Sequence, residues 1–134
     1  MTALNRIRSI LESLCEDEDV PMEAVYYGMC PERSLPKWNY FVFDRLSTTK
    51  ASNRLDWETR YQIHIIHEDY IPEQYVERVI AALEAPGNPL FRTTTDSVSY
   101  QYTTKGNTSV VVELATITVV HPEIRRHAVG TAVS

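Results

Sequence analysis

The sequence predicts an α+β fold, an antiparallel β-sheet with two main helices packed on one side. Three observations carry this. Apolar residues recur at helical spacing in two separate stretches, one near the N-terminus and one after residue 71. The segments between and after them are rich in β-branched and aromatic residues. The resulting order is helix, two or three strands, helix, two or three strands, which suits an antiparallel sheet with its helices on one face.

The first helix is capped by Thr2, and Leu4, Ile7, Leu11 and Leu14 form its apolar stripe, leaving Arg6, Arg8, Glu12 and Ser13 for the other side. Acids from Glu16 to Asp19 oppose the negative end of the helix dipole, so the helix ends there, and Pro21 breaks the chain. AVYYGMCP and YFVFDRL (Tyr40 to Leu46) read as neighbouring strands around the turn-rich PERSLPKWN. STTKASNRLD is polar and aperiodic and predicts a long exposed hairpin connection. A further strand runs from Trp57 to His67.

The corner HEDYIPEQ follows, with Pro72 suited to the first turn of a helix and Glu68, Asp69 and Glu73 near its positive end. Tyr75, Val76, Val79, Ile80 and Leu83 then form the second apolar stripe, which stops at APGNP. Leu90 to Arg92 and SVSYQYTT are extended, KGNT turns at Gly106 and Asn107, and TSVVVELATITVV, apolar on both faces, is expected to be a central strand. One domain over residues 1–121 is expected, followed by a flexible arm over 122–134, EIRRHAVGTAVS with its preceding proline.

A length of 134 residues suits one core. With 43% hydrophobic and 23% charged residues and no apolar run of about 18, the composition predicts a soluble chain with no membrane span. The N-terminus lacks the continuous apolar stretch of a secretory signal, so folding in a cytoplasm is expected, with Cys15 and Cys30 as reduced thiols. A net charge of −5 argues against direct nucleic-acid recognition.

The segment RYQIHIIHEDYIP is the most chemistry-like stretch, because His64, His67, Glu68 and Asp69 crowd together. On a strand, however, Tyr61, Ile63, Ile65 and His67 face one way and Gln62, His64 and Ile66 the other, so the two imidazoles diverge. His121 and His127 lie apart with no partner at ligand spacing, and no metal site is expected. Four glycines without a phosphate-binding pattern argue against a nucleotide, and no cofactor is expected. No spaced nucleophile motif is present, and negative neighbours disfavour a Cys15 thiolate. Tyr26, Tyr27, Trp38, Tyr40, Phe41, Phe43, Trp57 and Tyr61 read as sheet core plus subunit interface. A chain of this kind is expected to act through contacts with other proteins.

The run RYQIHIIHEDYIPEQYVERVIAALEA, then YQYTTKGNT, then VVVELATITVV, over roughly residues 23–120, resembles the small tail-terminator and tail-completion proteins of long-tailed bacteriophages. The resemblance implies a non-enzymatic subunit of a homo-oligomeric ring, a hexamer, at the head-proximal end of the tail tube. There it would end tube polymerisation and join the tail to the head connector. Its partners would be the tail tube protein and the connector or neck proteins, and its place the virion tail after assembly in the host cytoplasm. In such a ring Lys50, Arg54, Asp56 and Lys105 are candidate interface residues, with Arg125, Arg126 and His127 in an arm that could order on binding. A head-completion or neck adaptor on the portal side stays open as an alternative. So does a small enzyme or ligand-binding domain using His64, His67, Glu68 or a tyrosine pocket.

Overall fold

Alternation of buried and less buried side chains along the two longest strands sets the architecture. The computed structural model describes residues 2–17, 22–31, 36–50, 56–87, 89–94 and 98–124, with the backbone alone for 56 and 122–124. In chain order the elements are α1 (Ala3–Cys15), β1 (Ala24–Tyr27), β2 (Tyr40–Lys50), β3 (Asp56–Glu68), α2 (Glu73–Glu84), β4 (Arg92–Thr93), β5 (Ser99–Thr104) and β6 (Val111–Ile124). The sheet order is β1-β2-β3-β6-β4, and β5 pairs β6 as well. β5 lies along Val111 to Thr116 and β4 along Val119 and Val120, so the two short strands share one flank of β6.

Both helices cover one face, as expected for the class. Phe41 and Phe43 of β2, Tyr61, Ile63 and Ile65 of β3, and Ala115, Ile117 and Val119 of β6 meet Ile7, Leu11 and Leu14 of α1 and Tyr75, Val79 and Leu83 of α2 in one core. The period-two alternation of the strands and the helical period of the two stripes thus point at the same layer. Thr2 accepts a hydrogen bond from the Asn5 amide and caps α1. At the far end of α2, Arg6 donates to the Ala85 carbonyl, and a Cβ at Gly87 would collide with its guanidinium. Gly87→Ala is therefore expected to displace Arg6 and cost about 1 kcal/mol, read as a lower urea midpoint with an unchanged slope.

Three expectations are corrected. β1 runs parallel to β2, with Ala24 opposite Tyr40, so the sheet is mixed; its other pairings are antiparallel. The polar stretch from Ser47 to Asp56 is ladder at both ends: Ser47 to Lys50 pair with Arg60 to Trp57, and Asp56 opens β3, with 51–55 outside the described residues. Threonine is a good strand former, and Thr48 and Thr59 join hydroxyls at 3.1 Å across this ladder. The register shifts between Arg45 and Ser47, where Leu46 is the extra residue and is half exposed. Finally, β6 runs through Pro122, opposite Glu58, to Ile124, past the expected boundary at 121. Beyond Val120 the described strands flank β6 on one side only, where a residue lacking an N–H is tolerated if its nitrogen faces outward.

Candidate functional site

The crowded segment of β3 divides between two faces, as strand geometry requires. His67 lies against the helix layer, with its ring 5.7 Å from Tyr75 in an edge contact and its Nδ1–H donating to the Glu68 carbonyl at 2.8 Å. His64 lies on the uncovered face. Its Nε2 is 2.9 Å from Asp44 Oδ2 and its Nδ1 is 2.9 Å from Thr116 Oγ1. A carboxylate only accepts, so Nε2–H donates to Asp44, while the Thr116 hydroxyl can either donate to Nδ1 or accept from it.

Acid, imidazole and hydroxyl in a row is the order that draws a proton from a nucleophile in hydrolases. Here the hydroxyl belongs to Thr116 in the middle of β6, where His64 and Ser99 flank it in the ladder. Oxyanion donors would have to be side chains, and Gln62, Ser99 and Gln101 line the same shallow cup of about 440 Å³. What the row does visibly is tie β2, β3 and β6 together across the face that neither described helix covers.

The end of β3 is held by a second network. Glu68 Oε2 accepts from Lys105 Nζ at 2.8 Å and from the Trp38 amide at 2.7 Å, while Lys105 Nζ also donates to the Pro36 carbonyl at 2.6 Å. Both side chains of the ion pair are about one fifth exposed. The Lys105 hydrogen bond, followed by that of the Trp38 amide, holds the Glu68 carboxyl below the usual carboxylate range, against the opposing effect of burial. Trp38, thus fixed, packs on Val42, Ile66 and Val112, a small second cluster on the uncovered face. Asp69 makes the turn into the corner with φ +67, a conformation aspartate tolerates better than branched residues. Pro72 is the N-cap of α2 rather than a first-turn residue, and Glu113 from β6 accepts the Ile71 amide at 2.7 Å. The other Glu113 oxygen accepts the Tyr102 hydroxyl at 2.8 Å, which pushes that phenol up.

The expected interface residues fall at opposite ends of the long strands. Lys50 closes β2, with its Nζ 5.8 Å from the ring centroid of Trp57, its ladder partner. Asp56 opens β3 opposite Ile124, so the start of β3 and the last described residue of β6 come together. Lys105 sits at the other end, in the turn between β5 and β6, and its ammonium is engaged inside the chain. Arg54, Arg125, Arg126 and His127 lie outside the described residues.

Among the described residues no group of three metal-capable side chains forms a site. Cys15 and Cys30 are not bridged to each other. Burial, then Glu12, Glu16 and Glu23, pushes the Cys15 thiol up to about 11, and burial together with Cys30 pushes Tyr40 up to about 12. No helix among the described residues is long and apolar enough to cross a membrane.

Sequence reasoning missed Asp44, Thr116 and Trp38, whose roles depend on pairing across strands. One signal was legible. Glu113 is the lone acid in VVVELATITVV, and an acid in an apolar central strand needs a partner. No family model and no curated protein matches the chain.

Proposed function

We propose that this chain is a structural ring subunit of the tail-terminator kind, capping the head-proximal end of a long-tailed phage's tail tube and joining it to the head connector. The observation that carries it is that the expected interface residues fall at two opposite ends of one sheet. Lys50, Asp56 and the start of the arm bearing Arg125 and Arg126 mark one end, and the Lys105 turn marks the other. The fourteen residues of β6 between them span roughly 45 Å at about 3.3 Å per residue. A subunit standing with these strands along the ring axis offers one end to the tube and the other to the connector. Its flanks are left for neighbouring copies, and heterologous contacts between them close a ring when the rotation per subunit divides a circle.

Images of the native particle with this chain labelled are expected to place it between tail tube and connector. A label on the portal side of the connector would favour a neck adaptor, and a label elsewhere would sink both. Lys50→Glu reverses a charge at one end without touching the core. Particles carrying it are expected to separate into free heads and free tails, counted by electron microscopy, while the isolated variant loses no more than about 1 kcal/mol, the worth of the Trp57 ring contact.

A further inference from the structure

We propose that copies of this chain associate flank to flank, the β5 edge of one pairing with the β1 edge of the next, so that the sheet continues from subunit to subunit. This rests on the ring reading and names the surface that would build the ring. β1 and β5 lie on opposite flanks of the sheet, and among the described residues each pairs with a single strand. Their sequences, AVYY and SYQYTT, contain no charge and no proline, and neither has a bulge in its ladder. Those are three of the devices by which monomeric proteins blunt a free edge. In a chain of net charge −5, the two uncharged edges are where like-charged copies can approach.

Most of the exposed large apolar side chains among the described residues gather at the same places, Leu46 and Leu90 lying elsewhere. Tyr27 and Met29 flank β1, at 42% and 72% exposed, while Tyr70, Tyr100, Tyr102 and Val111 surround β5. Two different apolar edges on one chain favour a head-to-tail contact over a two-fold one. Strand sense agrees. β1 and β2 run together, and each step β2 to β3, β3 to β6 and β6 to β5 reverses direction, so β5 opposes β1. Two upright copies with their helices on the same side therefore meet through an antiparallel ladder, the more stable kind.

The faces also agree. Tyr27 sits opposite Phe43 on the helix side, with its ring 5.1 Å from that phenyl. Tyr100 is opposite Ala115 of the same core and lines a groove of about 370 Å³ with Tyr70, Pro72, Val76 and the acids Glu73 and Glu113. In the continued sheet the Tyr27 and Met29 side of one copy faces that groove in the next.

The test uses the full chain and two variants, Tyr100→Lys on the β5 flank and Met29→Glu on the β1 flank, the latter set to face Glu73 and Glu113 of the next copy, each checked for wild-type circular dichroism and sized by light scattering. The wild type is expected to form rings, and each variant alone to fall to the mass of a single chain. An equimolar mixture of the two is expected to stop at twice that mass, because each variant keeps one intact edge. Rings that persist in both variants, or a mixture that stays at single-chain mass, overturn the edge assignment and leave the ring reading standing. Edge-dependent open chains without closure keep the edge assignment and sink the ring. A wild-type chain of single mass at every concentration overturns the edge pairing, and the particle images then decide the ring reading alone.

Discussion

Phe43→Ala is expected to destabilise the fold by about 3–5 kcal/mol, the range for emptying a buried phenylalanine site. Phe43 is 1% exposed and sits where four elements meet. Its ladder partner is Ile63 of β3, the Tyr27 ring of β1 stands edge-on 5.1 Å away, and the Arg8 guanidinium of α1 lies 5.1 Å above its ring. Alanine would remove the surface on which α1 and β1 rest, and β1, only four residues long, has no other described strand to hold it. Thermal unfolding followed by circular dichroism is expected to show a midpoint lowered by more than about 10 °C. Phe43→Leu, which keeps most of the volume, is expected to cost under about 1.5 kcal/mol. Equal losses in the two variants would mean that the ring contacts, rather than filled volume, hold this corner.

Glu68→Gln is expected to cost about 2–3 kcal/mol, because it leaves the Lys105 ammonium four fifths buried without its counter-charge. Removing the whole side chain with Glu68→Ala also orphans the Trp38 amide and is expected to cost more. The pH dependence follows from the lowered Glu68 carboxyl. A group whose folded value is depressed stabilises above its unfolded value, near 4.3 for glutamate, and the contribution is lost as pH falls through the folded value. Wild-type stability is therefore expected to fall more steeply than that of Glu68→Gln as pH drops below about 5. Trp38 is one of two tryptophans, the other being Trp57 at the opposite end of the sheet, so its fluorescence reports the loss locally. Lys105→Met combined with Glu68→Gln is expected to be milder than the sum of the single changes; strict additivity would show that the two side chains do not act as a pair.

Much of the fold could be read locally. The stripes of Ile7, Leu11 and Leu14 and of Tyr75, Val79 and Leu83 were legible as helix faces, since a period of 3.6 is a property of neighbouring residues. The opposite facing of His64 and His67 was legible for the same reason, strand alternation being independent of what the strand pairs with. The uncharged run SYQYTT was in view too, but nothing in it says that it would lie on the outer edge of β6.

The sequence by itself determined the class, the helices, the identity of the long central strand and the separation of the two histidines. Only the tertiary structure decided that β1 joins β2 in parallel, that Ser47 to Lys50 are ladder, that Lys105 reaches Glu68, and that Asp44 and Thr116 hold His64. The difference has one physical cause. Periodicity and capping depend on residues within a turn or two of each other, whereas strand pairing and ion-pair partners join residues dozens of positions apart, and which of them meet is settled when the sheet closes against its helices.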